Sequence, residues 1–338
     1  MKEWLYAPKG YYATHNTIGK EGDFYTAVSS SMFFGGAIAK RAICSIEEFL
    51  GEDCAIIEIG AHKGYLLADI IQFIFTLKPE LLETLKFYIV EPFAENQKAQ
   101  LEYFKESFGE KIELLHVKSL DELTCKSAFI VANEIFDAFS CEIINKNKML
   151  YVQNHEVFFD TIEDEVAQLA QCYGIQKGEV AVGYEKFSKS MYKAVEKFEF
   201  ITFDYGDRFA RNDFSLRIYE KHNVFPFFSL TSLVDEKHRV EKNLCEMFGN
   251  TDITYDVNFA HLIGAFEKSG IKLHEYTTQM KALIDFGLIE LLDILKTNTS
   301  QKAYNAEMNR VKTLIDPAFM GERFKMCCFR KEKNETHS

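Results

Sequence analysis

Ala55-Ile56-Ile57-Glu58-Ile59-Gly60-Ala61-His62-Lys63-Gly64, followed by the apolar run Tyr65 to Leu77, decides the fold of this chain. A short isoleucine-rich run cut off by glycine spells a buried strand, and the longer apolar run behind the second glycine spells a helix. The pattern repeats. Lys86 to Val90 reads as a second strand ending at Glu91, and a polar helix with apolar positions Ala94, Leu101, Phe104 and Phe108 follows. Ile112 to His116 reads as a third strand, and Ser127 to Val131 as a fourth that runs into Asn133-Glu134. This alternation predicts a parallel sheet covered by helices on both faces, because parallel strands need crossover connections. The expected class is α/β and Rossmann-like.

Beyond Cys141 the pattern changes. Glu142 to Val152 and Glu156 to Phe159 read as short strands joined at Asn145-Lys146-Asn147 and Gln153-Asn154, an inserted antiparallel meander. Helices near Glu163 to Cys172 and Glu185 to Lys197 lead to a strand, Phe198 to Phe203, that ends in Asp204-Tyr205-Gly206. Arg208 to Thr251 shows weak periodicity and reads as a long functional loop or lid. From Asp256 the chain reads as mostly helical until a closing strand, Phe324 to Phe329. The expected organisation is an N-terminal segment, 1–50, covering a cofactor site, a Rossmann-like core from 51–140 and 198–206 with 322–331, and an insertion and mostly helical cap from 141–197 and 207–321.

Composition narrows the function classes. With 338 residues, 47% hydrophobic and 27% charged, the chain is that of a globular protein, and only five prolines leave no Pro-rich linker. The net charge of −12 repels phosphate backbones and argues against nucleic acid as a partner. None of the eight cysteines forms a C-x-x-C pair, so a reducing compartment and no metal centre are expected. The longest apolar stretch, Leu66 to Leu77, is broken by Asp69 and Gln72. It covers about half of the roughly 20 residues a bilayer span needs. Residues 1–10 lack the apolar run of a secretory signal, and a cytoplasmic location is expected.

The segment from Glu58 to Gly64 joins strand to helix, where unpaired amides and the helix dipole favour an anionic group. Thirty-one residues after Gly60, Glu91 closes the second strand, a position from which a carboxylate accepts hydrogen bonds from ribose hydroxyls. The loop is G-x-x-x-G with an acid in front, not the G-x-G-x-x-G that lets pyrophosphate approach. S-adenosylmethionine fits better than a dinucleotide: its carboxylate meets the helix start and nearby acids tolerate its cationic groups. An ordinary strand–helix turn with a solvated Glu91 would read the same way.

Further segments make the resemblance specific. Gly22-Asp23-Phe24-Tyr25-Thr26-Ala27, Phe34-Gly35, Glu58 to Gly64, Asn133-Glu134-Ile135-Phe136-Asp137-Ala138, Phe203-Asp204-Tyr205-Gly206, Leu216-Arg217, Asp252-Ile253-Thr254 and Met320-Gly321-Glu322-Arg323-Phe324-Lys325 follow one another in order. Together, from about Gly19 to Lys331, they resemble the motifs of the MidA-like family of class I S-adenosylmethionine-dependent methyltransferases. The family includes a mitochondrial relative that methylates an arginine on a subunit of respiratory complex I during assembly. The resemblance therefore implies a class I core, S-adenosylmethionine as cofactor, and a protein acceptor, with arginine and a respiratory-complex subunit as candidates. It implies that Asp23, Phe24 and Thr26 fold over the cofactor, joined by Glu58, Gly60, Gly64, Glu91 and Asn133.

An arginine acceptor needs carboxylates to orient its guanidinium, and Glu134 and Asp137 are the candidate catalytic pair. Their i, i+3 spacing places both on one face if the segment is a helical turn. A helix start capped by Asn133 is the alternative for the same residues. Asp204 and Tyr205 are second-rank pocket candidates, while Arg217 and His222 read as structural or solvated. The sequence departs from the family pattern at His62, where a middle glycine is usual, at Val28-Ser29, at Ser140, and at Asp256 and Asn258. Those departures leave two rivals: a noncatalytic methyltransferase-like assembly factor and a small-molecule methyltransferase.

Overall fold

Every residue of the first strand, β1 (Ala55–Ile59), is buried, Glu58 among four apolar neighbours, as a central parallel strand requires. The computed structural model describes residues 1–14, 26–153, 156–221, 223–240, 242 and 244–333. Along the chain follow β2 (Lys86–Val90), β3 (Leu114–Val117), β4 (Cys125–Asn133), β5 (Cys141–Asn145), β6 (Lys148–Gln153), β7 (Glu156–Thr161) and β8 (Lys177–Ala181). Then come β9 (Val195–Asp207), β10 (Arg217–Glu220), β11 (Asn223–Pro226), β12 (Asp252–Thr254), β13 (Val257–Asn258), β14 (Lys272–Thr278) and β15 (Phe324–Lys331). The described residues divide into two units, one drawn from Met1–Tyr25, Ile135–Lys186 and Tyr205–Ala265, the other from Thr26–Glu134, Phe187–Asp204 and Phe266–Ser338.

The second unit holds a sheet in the order β14-β15-β9-β4-β1-β2-β3. Its members from β3 to β9 pair in parallel, whereas β14 and β15 pair antiparallel. The chain runs from β1 outward to β3 and then returns to the other side of β1 for β4. The carboxyl ends of β1 and β4 therefore flank the point where strand order reverses, the place at which open α/β sheets bind ligands. The fold is α/β with a central, mostly parallel sheet, as the alternation of runs predicts.

Several details differ from expectation. The helix Ala94–Phe108 buries Gln100 and Phe104 and exposes Leu101, so its inner face is turned from the apolar positions chosen by pattern. β14 carries the polar sequence Lys-Leu-His-Glu-Tyr-Thr-Thr and has no buried residue, and only its pairing with β15 makes it a strand. Residues 266–321, expected in the cap, cluster with the sheet, because the helices between β14 and β15 are tethered at both ends to sheet strands. At the centre of β9, the fully buried Glu199 is satisfied by Arg41, with Nε and Nη2 at 2.7 and 2.8 Å, and by Arg330 Nε at 2.7 Å. This is how a charge survives inside a sheet layer.

The first unit contains the meander, a four-stranded antiparallel sheet in the order β7-β6-β5-β8. Its fourth strand, β8, went unread in the sequence. The helix Asp164–Cys172 packs Val166 and Ala170 with Ile144, Met149, Ile175 and Val180 in a small core. The expected lid, Arg208 to Thr251, is more ordered than its periodicity indicates: β10 and β11 form a hairpin, and β12 pairs with β10 to complete a three-stranded sheet. Strands this short show too few alternations to be read from pattern. Beside them β13 pairs in parallel with the end of β9, Val257 opposite Gly206. Among the described residues no helix is long and apolar enough to cross a membrane.

Candidate functional site

The loop between β1 and the helix Tyr65–Leu77 takes left-handed backbone at alternate residues, with φ of +73° at Gly60, +47° at His62 and +80° at Gly64. Packing at Gly64 is tight as well, since a Cβ there would stand 3.1 Å from the Phe104 ring, which would have to shift by a few tenths of an ångström. His62, the departure that could have forced another geometry, instead adopts the backbone a glycine would take. That conformation costs a non-glycine residue roughly 1–2 kcal/mol. Gly60 is exposed, whereas Ala61 and Gly64 are buried and His62 and Lys63 half-buried.

Glu58 belongs to the loop in a way the sequence did not reveal. Its buried Oε2 accepts the Leu67 N–H at 3.0 Å, capping the helix that Gly64 leaves without a side-chain cap. The chain itself thus answers one of the amides at which an external anion was expected. Burial raises the Glu58 pKa to about 8, against the lowering effect of the Leu67 hydrogen bond. The folded protein then keeps a proton that the unfolded chain releases near 4.5, so this carboxyl's stabilising contribution is greatest below that value and is lost as pH rises through about 8. Asp69, raised to about 7 chiefly by burial, acts with the same sign. Glu58→Gln keeps the acceptor and is expected to flatten the decline of Tm between about pH 5 and pH 8. An unchanged slope in thermal melts would remove Glu58 from this role.

At the end of β2, Glu91 is only 4% exposed, which disposes of a solvated side chain. Its Oε1 accepts the Phe93 N–H at 3.0 Å, and burial pushes its pKa up against that bond and those from Asn96 and Gln100. Gln100 was missed in the sequence. It is fully buried and donates Nε2 to the His62 carbonyl at 2.6 Å, with Glu91 Oε2 at 3.5 Å, while its Oε1 meets His116 Nε2 at 2.7 Å. The available signal was a polar residue at i, i+4 from Phe104 on the inner face of its helix.

β4 ends beside β1. Asn133 Nδ2 donates to Glu134 Oε1 at 2.8 Å, and Asn133 Oδ1 is buried with no hydrogen-bond partner among the described residues. Glu134 has φ of +52°, donates its amide to the Phe203 carbonyl at 2.8 Å, and accepts the Ala27 N–H through Oε1 at 3.3 Å. The predicted helical turn is absent: residues after Glu134 form bends and a turn, and Asn133 caps nothing. Glu134 and Asp137 consequently do not share a helical face, and they fall in different units. Thr26 is occupied in a capping box with Ser29 at the helix Ala27–Ser30. Asp23, Phe24 and His222 lie outside the described residues.

In the first unit the buried Asp137 accepts a hydrogen bond from the Tyr205 hydroxyl. The Arg217 guanidinium lies 4.7 Å from the Tyr205 ring centroid and pairs through Nη2 with Asp256 Oδ1 at 2.6 Å, and Arg211 binds the other oxygen of Asp256. Burial pushes the Asp137 pKa up, opposed by the Tyr205 hydrogen bond and the Arg217 charge. Asp256, a departure from the family pattern, is the counter-ion of Arg217. Asp204 is wholly buried.

A family model described as an S-adenosyl-L-methionine-dependent methyltransferase matches residues 38–277, a span holding the loop, Glu91, Asn133, Glu134 and Asp137. The chain belongs to this methyltransferase family. Its cofactor is S-adenosyl-L-methionine. A left-handed turn that opens on the exposed Gly60, a buried acid after β2 and the Asn133 Oδ1 unpartnered among the described residues fit that molecule's polar groups. Over an alignment of 363 positions that covers 96% of this chain and 79% of the relative, the chain is 23% identical to the mitochondrial protein arginine methyltransferase NDUFAF7 homolog of Drosophila melanogaster. It is also 23% identical over 373 aligned positions, covering 96% of this chain and 80% of the relative, to mitochondrial protein arginine methyltransferase NDUFAF7 of Danio rerio. A Burkholderia thailandensis protein crystallised with S-adenosyl-homocysteine shares the fold, with a TM-score of 0.78, 21% identity, and 98% of this chain and 87% of that chain covered.

Proposed function

We propose that the protein methylates a protein side chain, with arginine as the acceptor. The observation that carries the reading is the buried Glu91 that closes β2, the strand next to β1, whose end opens the left-handed loop. When bound, S-adenosylmethionine supplies a methyl group on a sulfonium, open to in-line displacement. Glu91 would accept the ribose hydroxyls, and the loop amides with Asn133 would hold the aminoacyl end. The nearby carboxylates favour a cationic donor. Arginine is supported by the names of the fly and zebrafish relatives and by the chemistry of the acids. A guanidinium, with a pKa above about 12, needs a carboxylate to orient it and take up its proton.

Glu134 is the group we assign to that task, and its left-handed backbone at a strand end is the kind of strain that functional sites retain. Within its own unit Asp137 is a buried carboxylate with suitable chemistry.

The test is transfer of a labelled methyl group to protein in a lysate from cells lacking the gene, followed by mass spectrometry of the modified site. Methylated arginine is the expected product. Label confined to the low-mass fraction would replace the reading with a small-molecule methyltransferase. Tight S-adenosyl-homocysteine binding without any transfer would favour a noncatalytic assembly factor. Glu134→Gln is expected to slow labelling by at least about tenfold. The same variant should leave S-adenosyl-homocysteine affinity within about threefold, as measured by calorimetry.

A further inference from the structure

We propose that Gln100 is the positioning residue of the cofactor site, one buried amide that locks the glycine loop against Glu91 and is itself held by His116. The proposal rests on the reading that Glu91 takes the ribose. Gln100 has no exposed surface and sits where an aliphatic side chain would suit the helix. An amide in that place is costly unless each of its groups is answered. Here they are: the nitrogen serves the His62 carbonyl at 2.6 Å and Glu91 Oε2 at 3.5 Å, and the oxygen serves His116 Nε2 at 2.7 Å.

No other side chain of this length does both. Glutamate offers only acceptors and would repel Glu91, whereas lysine offers only donors. The bond to His62 falls on a residue with φ of +47°, so it restrains the loop at its least comfortable position. The contact with Glu91 Oε2 orients the carboxylate whose other oxygen accepts the Phe93 N–H. Because the Gln100 nitrogen donates, its oxygen accepts, and His116 must carry its proton on Nε2. Loop shape and acid orientation are thereby set together by a residue that need not touch the ligand.

The experiment is calorimetric titration of the full chain with S-adenosyl-homocysteine, using Q100M, E91Q and the double variant, with Tm recorded for each. Q100M is expected to weaken binding by at least about tenfold, and by a distinctly smaller factor when added to E91Q, because one of the two contacts the amide nitrogen makes is with the acid. Affinity within about twofold of the parent in Q100M, whatever its Tm, would overturn the proposal, as would full additivity with E91Q. If E91Q itself binds like the parent, the Glu91 reading fails and this proposal with it, an outcome distinct from the failure of Gln100 alone. Should Q100M not fold, Q100L removes the same polar groups with less bulk and carries the same comparison.

Discussion

Glu91→Ala is expected to weaken S-adenosylmethionine binding by about 100-fold or more, the largest functional effect of a single truncation in the cofactor site. The carboxylate is 4% exposed and fixed by the Phe93 amide, so it needs no ordering when ligand arrives. Two hydrogen bonds from ribose hydroxyls to a charged acceptor contribute about 1.5–3 kcal/mol each. Each 1.4 kcal/mol is about tenfold in affinity, so their combined loss gives about 100-fold at the lower bound. Calorimetry with S-adenosyl-homocysteine checks this, and a change below about threefold in a variant with parental Tm would remove Glu91 from the site.

Gly206→Ala should have the largest effect on stability. Gly206 has φ of +148°, and an added Cβ would stand 2.1 Å from the Val257 carbonyl oxygen and 2.6 Å from its nitrogen. Those atoms belong to the backbone paired with Gly206 through β13, so no side-chain rotation relieves the clash. The pairing of β9 with β13 must open, at a cost of about 3–5 kcal/mol. In a chain of two units a single unfolding free energy is ill-defined, so hydrogen exchange is the better measure. Amides of residues 205–207 and 257–258 are expected to lose protection while those of β1 and β4 keep it. Unchanged protection at 257–258 would show that the backbone accommodates the methyl group.

What pattern reading recovered follows from how strongly each element is marked. β1 and the helix Tyr65–Leu77 carry dense apolar runs bounded by glycine, and the structure places them at the residues expected. β14 carries no such run and was unreadable, because its stability comes from hydrogen bonds to β15 rather than from burial of its side chains. The candidate site divides in the same way. Gly60, Gly64 and Glu91 were legible as residue types at strand ends, but Glu58 and Thr26 proved to be helix caps, a use that depends on which amide a side chain reaches.

Sequence alone determined the α/β class, the succession of the core strands along the chain, and the positions of the glycine turn and of the acid we propose meets the cofactor. Each of these is written in neighbouring residues, through hydrophobic period and the backbone freedom of glycine. Only the tertiary structure decided that Gln100 joins His62, Glu91 and His116, that Asp256 neutralises Arg217, and that Glu134 and Asp137 leave the strand without a helical turn between them. The His62 carbonyl lies 38 residues from Gln100, and Asp256 lies 39 from Arg217. At such separations a side chain's partner is chosen by the packing of whole elements and leaves no local trace in composition or spacing.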